Sequence, residues 1–431
     1  MSTTAAATLA TSTHQARNPP QLLHTARARG VMREQALDLV CATTDENLYY
    51  LSGHASDATL CHFFDRWGAA LFATSAEVPG ALIVPDYDLA YQVTRPTWLP
   101  ELHSYGWEYS SAGVLLDAIN KGVGIETDLR APLRALFRQT RETVSRDLVS
   151  AIAAHISRNF PAGEVTVGFD DLRVAAEVRS KVGERLRTVD ALYIFRLIRA
   201  VKTDAEIDLL RRAAAINEAA VGAAASAVRE GALCSDMVRA YRGVLADRGA
   251  KPLGERGMLF VSGPDGSFVL DHDYVEAKRF QAGESVVLDA ISQFRLYHAD
   301  MARTAVIGGG TKRHRACYAA VLEALAAAEA TIRPGVHTSA LIKTAAEVLR
   351  KHGLDPALTS LLCHPIGLQV FDWGTPEDEH KGWAIQANQV LNFEVFYRDP
   401  ESGGMHLEDS ILVKANGAES LSTMSRDLIE G

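Results

Sequence analysis

No stretch of the 431-residue sequence comes near the roughly 18 consecutive apolar residues that a membrane-crossing helix requires. Runs of like charge are missing too. The 44 lysines and arginines are interspersed among 53 aspartates and glutamates, for a formal net charge of -9, which leaves no basic patch to hold nucleic acid or an anionic membrane. Cysteine is scarce: Cys41, Cys61, Cys234, Cys317 and Cys363 are scattered, odd in number, and lack the close pairing of a zinc knuckle or a redox motif. Reduced thiols in a cytoplasmic protein are the simplest reading. The opening MSTTAAATLATSTHQARNPP has neither a basic leader nor a continuous apolar segment, so residues 1–26 are expected to be a disordered extension of a soluble chain. These exclusions leave a globular protein, 47% hydrophobic, long enough for two or three domains, with small polar ligands or other proteins as its expected partners.

From about Arg27 to Thr188, short β-rich runs alternate with amphipathic helical stretches. The runs include Ala70-Leu71-Phe72, Ala81-Leu82-Ile83-Val84 and Val165 to Phe169, and the alternation predicts an α/β domain over residues 27–195. A second domain, 200–431, begins near VKTDAEIDLLRRAA, where Thr203 or Asp204 is placed to cap a helix carrying Ile207, Leu210, Ala214 and Ile216 at near-helical spacing. This second domain holds a faint internal repeat. Arg229, Gly231, Ser235, Val244, Leu245 and Gly249 match Arg333, Gly335, Ser339, Val348, Leu349 and Gly353 at a constant offset of 104 residues. A strand pair bearing acids follows each copy, Asp289 and Asp300 after the first, Glu394 and Glu408 after the second. A duplicated helix-plus-hairpin unit folded with pseudo-two-fold symmetry would bring the four carboxylates to one centre.

Each apolar run of VVLDAISQFRLYHADMARTAVI carries an aspartate, and a carboxylate in a buried strand is costly unless paired, hydrogen-bonded or metal-bound. Taken singly, these acids and His364 in LLCHPIGLQVFDWG are compatible with ordinary core or edge positions. Together, Asp289 and Asp300 eleven residues apart, then His364, Glu394 in NFEVF and Glu408 in HLEDSILV make four carboxylates and one imidazole in strand-like settings. Oxygen donors with a single imidazole suit two divalent cations of the manganese, cobalt, zinc or iron kind.

The order Asp, Asp, His, Glu, Glu in DA…YHADMARTAVIG, HPIGL…FDWG, NFEVFYRD and HLEDSILV resembles the pita-bread metallopeptidase family of aminopeptidase P, prolidase and methionine aminopeptidase. DENLYYLSG, Asp45 to Gly53, resembles the N-terminal signature of the prolidase and aminopeptidase P branch. The resemblance runs over nearly the whole chain after about residue 30. It implies an α/β N-terminal domain followed by an α+β pita-bread (creatinase/aminopeptidase) catalytic domain with an internal pseudo-two-fold repeat. It also implies a hydrolase using two divalent metal ions per chain, manganese first and zinc, cobalt or iron as alternatives, to cleave Xaa-Pro bonds of short peptides. Asp289 would bind one metal, Asp300 and Glu408 would bridge, and His364 and Glu394 would bind the other. Glu394 would move the proton to the leaving nitrogen, His272 would contact the substrate near the scissile bond, and the branch is commonly a homodimer.

Three positions depart from the family pattern. Phe371 replaces a second histidine, Val395 and Phe396 follow Glu394 in place of Pro-Gly, and His406 stands where arginine is usual. Phe371 and His406 are accordingly placed, with His272, on the substrate side. An enzyme of the same fold acting on another small molecule, by hydrolysis or lyase chemistry, stays open beside the peptidase reading, as does a catalytically silent binding homologue.

Overall fold

A computed structural model describes residues 21–60, 66–106, 111–254, 257–259, 263 and 277–431. They fall into two compact units, one ending at Ala191 and the other running from Leu192 to Gly431. The N-terminal unit is built on a six-stranded mixed sheet. Its strands are β1 (Leu39–Ala42), β2 (Ala69–Ala73), β3 (Ala81–Pro85), β4 (Glu101–Tyr105), β5 (Val165–Phe169) and β6 (Leu186–Asp190), in the spatial order β4-β3-β2-β1-β5-β6. The first three are buried throughout, so their near-continuous apolar sequences suit a sheet covered on both faces. Helices Leu148–Asn159 and Leu172–Val182 close its core through Ile152, Ile156, Val174 and Val178. The DENLYYLS segment forms the helix Asp45–Ser52 and stops at Gly53, whose φ of 72° places it in the left-handed region that glycine adopts freely. Of the stretch 1–26 read as an extension, Leu22 and Leu23 are buried and a helix starts at Thr25, because two adjacent leucines find apolar cover; residues 1–20 lie outside the described residues.

The C-terminal unit carries a nine-stranded sheet: β7 (Lys251–Pro252), β8 (Met258–Leu259), β9 (Ser285–Phe294), β10 (Tyr297–Val306), β11 (Thr359–Pro365), β12 (Val390–Asp399), β13 (Gly403–Lys414), β14 (Gly417–Ser420) and β15 (Ile429–Glu430). Its main path is β11-β12-β13-β10-β9-β7, so the hairpins β9/β10 and β12/β13 meet where β10 runs antiparallel to β13. The duplication legible in the sequence is present as structure. Helix Cys234–Asp247 precedes the first hairpin and helix Thr338–Lys351 the second, at the 104-residue offset of the sequence match. The repeat's glycines, Gly231, Gly249, Gly335 and Gly353, all take positive φ. Gly231 donates its backbone N–H to Phe280 and Gly335 to Ile385, so each copy is tied down in the same way.

Two longer helices, Asp204–Ala227 and Lys312–Glu329, precede the repeated ones, and each starts with a threonine capping box, Thr203 with Glu206 and Thr311 with His314. The helical pair of the second copy packs on the odd-numbered residues of β12 and β13, among them Leu391, Phe393, Leu407 and Ile411. Strand alternation then sends the even-numbered residues to the opposite face. That face carries the acids.

Candidate metal centre

Strand register assembles the site. Asp289 on β9 pairs with Ala302 on β10, Ala302 pairs with Glu408 on β13, and Glu408 pairs with Glu394 on β12. Directly paired residues share a face, so Asp289, Glu408 and Glu394 stand in one row across the sheet. Asp300 is two residues from Ala302, and His364 on β11 pairs with Asn392, two residues from Glu394. All five residues singled out as metal ligands therefore lie on the face opposite that helical pair. Ligand atoms of Asp300, His364 and Glu408 come within 4.8 Å of one another, and so do those of Glu394, His406 and Glu408, leaving Glu408 common to both groups. Asp289 joins through His406, whose Nδ1 is 3.8 Å from its Oδ2.

The register also corrects the pairing of the two repeats. Asp300 had been set against Glu408 across the duplication. In the sheet Glu408 faces Glu394 as Ala302 faces Asp289, so the counterpart of Asp300 is His406. Turn length accounts for one residue of the offset, which grows from 105 between Asp289 and Glu394 to 106 between Ala302 and Glu408. The first hairpin closes through two residues, Arg295 and Leu296, at φ 49° and 65°, the left-handed pair of a tight turn, whereas the second uses Pro400, Glu401 and Ser402 before Gly403. A longer turn moves every later residue of β13 along the alignment.

The electrostatics are those of a site short of positive charge. Burial, followed by the charges of Glu408 and Glu394, holds the Asp289 carboxyl up at about 7 against an opposing pull from His406. Burial and the same crowding raise Asp300 well above the ordinary carboxylate range. Burial also works against ionised Glu394, but the hydrogen bond and charge of His406 outweigh it and leave this carboxyl below its usual value. His406 Nε2 lies 2.8 Å from Glu394 Oε2. Burial disfavours the His406 imidazolium, yet Glu394, Asp289 and Glu408 together raise its pKa to about 9.

Two orphaned or mismatched groups fit divalent cations. Asp300 Oδ1 is buried without a hydrogen-bond partner. His364 Nδ1 lies 2.9 Å from the Val370 carbonyl, which fixes the proton on that nitrogen and leaves the Nε2 lone pair pointing at Glu408 Oε1, 3.5 Å away. Two lone pairs facing each other in a buried site call for a cation between them. Asn392, which was not singled out from the sequence, orients the acids: its Nδ2 donates to Glu408 Oε1 at 2.8 Å and to the Asp300 carbonyl, while Ser410 donates to its Oδ1 at 2.6 Å. An asparagine two residues before a strand glutamate on the same face was the available signal.

The substrate-side residues are placed differently from one another. Phe371 is 44% exposed, stacks on Trp373 at 5.1 Å between ring centres and lies 4.6 Å from the His364 ring, giving the site an apolar wall. Between these aromatics Asp372 is fully buried and held by a bidentate Arg199 guanidinium, with the Lys202 ammonium 3.6 Å away. His406 is buried, stacked on Phe396 at 4.7 Å, with both nitrogens among the carboxylates, because residue 406 shares the acid-bearing face with Glu408. His272 lies outside the described residues.

Comparison with known proteins agrees with this architecture. The profile of the creatinase/prolidase N-terminal domain matches residues 25–139 and that of metallopeptidase family M24 matches residues 208–415. An Xaa-Pro dipeptidase of Pyrococcus furiosus is 27% identical over 237 residues, 55% of this chain and 67% of its own length. One from Pyrococcus horikoshii is equally similar over 55% of this chain and 66% of its own, so the chain matches about two thirds of these curated relatives' length. Among solved structures, an Xaa-Pro dipeptidase from Bacillus anthracis superposes with a TM-score of 0.71 at 17% identity, covering 94% of this chain and 98% of that one. The prolidase of Pyrococcus horikoshii gives 0.67 at 21% identity, covering 94% and 99%, so the fold is shared over almost the full length. With both profiles matched in order along one chain, and the two hairpins of the second carrying the acid row, the chain belongs to metallopeptidase family M24.

Proposed function

We propose that this chain is a metal-dependent peptidase that cleaves Xaa-Pro bonds of short peptides, in the manner named for its Pyrococcus relatives. The observation that carries the reading is the His364 Nε2 lone pair turned toward Glu408 inside a buried row of four carboxylates. In this reading Asp289, Asp300, His364, Glu394 and Glu408 would hold the two divalent cations, a set supported by the place of Glu408 in both donor groups. Bound there, the cations would supply Lewis acidity and lower the pKa of water toward neutrality.

The chain's own groups do the rest. Glu394, kept ionised by His406 at 2.8 Å, is suited to take up a proton and deliver it to the leaving prolyl nitrogen. His406 holds that carboxylate in place. Asn392 keeps the Glu408 carboxylate turned into the site. The exposed face of Phe371, backed by Trp373, offers an apolar surface to a proline ring or a neighbouring apolar side chain, and His272 is assigned to the substrate by the family resemblance.

Manganese as the working metal, a homodimer and a cytoplasmic location complete the reading. The oxygen-rich donor set supports the first, and four buried free thiols among the described residues are compatible with the last. The test is a panel of Xaa-Pro dipeptides and tripeptides, with sequence-reversed controls, assayed with added manganese, cobalt or zinc. Cleavage confined to the Xaa-Pro members is expected. Failure of fully metal-loaded protein to cleave any of them would overturn the proposal.

A further inference from the structure

The N-terminal unit contains a second convergence of ligand-type side chains, remote in sequence from the acid row. Glu101 and His103 are two residues apart on β4, the edge strand of the six-stranded sheet, and so point to the same face. His155 comes from the helix Leu148–Asn159, which packs against that strand and its neighbour. His103 Nε2 lies 2.9 Å and His155 Nδ1 3.5 Å from the same oxygen, Glu101 Oε2, and the three atoms fall within 4.8 Å of one another. Donors about 2.0–2.1 Å from a tetrahedral zinc ion are about 3.3 Å apart, so little movement separates this triangle from a metal-binding one.

The protonation pattern points the same way. Thr143 Oγ1 is 3.4 Å from the Thr140 carbonyl, to which its hydroxyl can donate, and 3.0 Å from His103 Nδ1. In the tautomer that donates Nδ1–H to Thr143, Nε2 is free to ligate a metal, with its proton-bearing partner nitrogen bonded to an outer oxygen as in metal-ligating histidines, and it already lies 2.9 Å from the Glu101 carboxylate. Burial lowers the pKa of His103 and brings His155 down to about 4, so both rings are neutral and available as donors near pH 7. Something positive must then lie among the three atoms, and it does. Arg158 Nη2 is 3.1 Å from His103 Nε2, 3.3 Å from His155 Nδ1 and within hydrogen-bond reach of Glu101 Oε2. The arginine side chain is 45% exposed, so it is free to swing into solvent.

We propose that Glu101, His103 and His155 form a metal site of the N-terminal unit for a single zinc-type divalent cation, with the Arg158 guanidinium as the cation it displaces. Two imidazoles and one carboxylate are a zinc donor set that leaves a fourth position for water. Bound there, the ion would fasten the edge strand to the helix. The site shares no residue with the acid row.

The test uses the full-length chain, stripped with a chelator, equilibrated with zinc, desalted and submitted to elemental analysis. Wild-type protein is expected to hold one more ion per chain than His155→Ala, and the acid row, intact in both, cancels in the difference. Because His155 is buried, Glu101→Gln serves as a second variant. It keeps the side-chain shape at a partly exposed position and carries the same expectation, with circular dichroism to verify folding. Arg158→Ala should bind that ion at least about tenfold more tightly in competition with a chromophoric chelator. Equal zinc content in wild type and folded Glu101→Gln, or unchanged affinity in Arg158→Ala, would overturn the proposal.

Discussion

Asp372→Asn isolates the contribution of one buried ion pair. The carboxylate is wholly shielded from solvent, and so, to within 1%, are its partners Arg199 and Lys202. The amide keeps the shape but removes the negative charge that the buried Arg199 guanidinium and Lys202 ammonium both face, a change that typically costs about 3–5 kcal/mol. A folding unit of this size loses roughly 2–4 °C of Tm per kcal/mol, so the variant should melt about 6–20 °C below wild type. The pH signature follows from the sign of the shift. Burial alone would raise the Asp372 carboxyl, but Arg199 and Lys202 pull it below its ordinary value of 3.8. Its contribution is therefore complete above the unfolded pKa and is lost as pH falls through the lower folded one. The gap between wild type and variant should stay constant from about pH 5 to 9 and close only in strong acid. Adding Arg199→Met should recover part of the loss, since one uncompensated charge goes with it. Calorimetry or circular dichroism melts at pH 7, with metal saturating, make the comparison. A variant melting within about 2 °C of wild type would refute the argument, because it would bound the cost near 1 kcal/mol.

Four further outcomes are expected. Glu394→Gln should fold normally and lose at least about 10²-fold in Xaa-Pro turnover, the scale of a lost general acid–base group, and near-normal turnover with unchanged metal content would make the residue structural. Asp300→Ala should hold at least one tightly bound ion fewer per chain than wild type by elemental analysis; an unchanged count would remove Asp300 from the ligand set. Chelator-stripped protein should lose stability as pH rises, since Asp289 is held up at about 7 and Asp300 well above the ordinary carboxylate range, and groups raised on folding stabilise only while protonated. The Tm difference between loaded and stripped forms should thus widen from about pH 5 to 8, and a constant difference would contradict the site's charge balance. Phe371→His should raise Xaa-Pro hydrolysis by restoring a hydrogen-bond donor of a kind whose loss commonly costs about 10² to 10³ in turnover, and an unchanged rate would show that the aromatic wall does not limit catalysis.

Much of the C-terminal unit was legible because its information is local. The Thr203 capping box and the repeated Gly-to-Gly segments each depend on residues close in sequence, and each appears where the spacing put it. What was missed depends on register and on distant partners. Spacing alone made Asp300 the counterpart of Glu408; only the strand register reveals that His406 takes that place. The Arg199–Asp372 pair joins residues 173 apart, and the Glu101, His103 and His155 cluster needs a helix to pack on an edge strand. No periodicity records either.

The register that defeated spacing also explains why the acids are where they are. Like charges set directly opposite one another on neighbouring strands destabilise a sheet, yet Glu394 and Glu408 are such a pair, on strands that otherwise pack apolar side chains against helices. Asp300 adds a third carboxylate to the same face with one oxygen unpartnered. A sequence selected for stability alone would place an uncharged residue at these positions, as Ala302 is in the equivalent place of the first hairpin. His406 relieves only part of the conflict, being one imidazole among four carboxylates. The local rule is broken at the point where the two halves of the duplication meet, where a bound cation could draw ligands from both. Substituting Glu408 by Gln in metal-free protein should consequently raise its Tm at pH 8 while lowering metal affinity. A fall in both would mean that the acid row is held together by something other than the cations it is suited to bind.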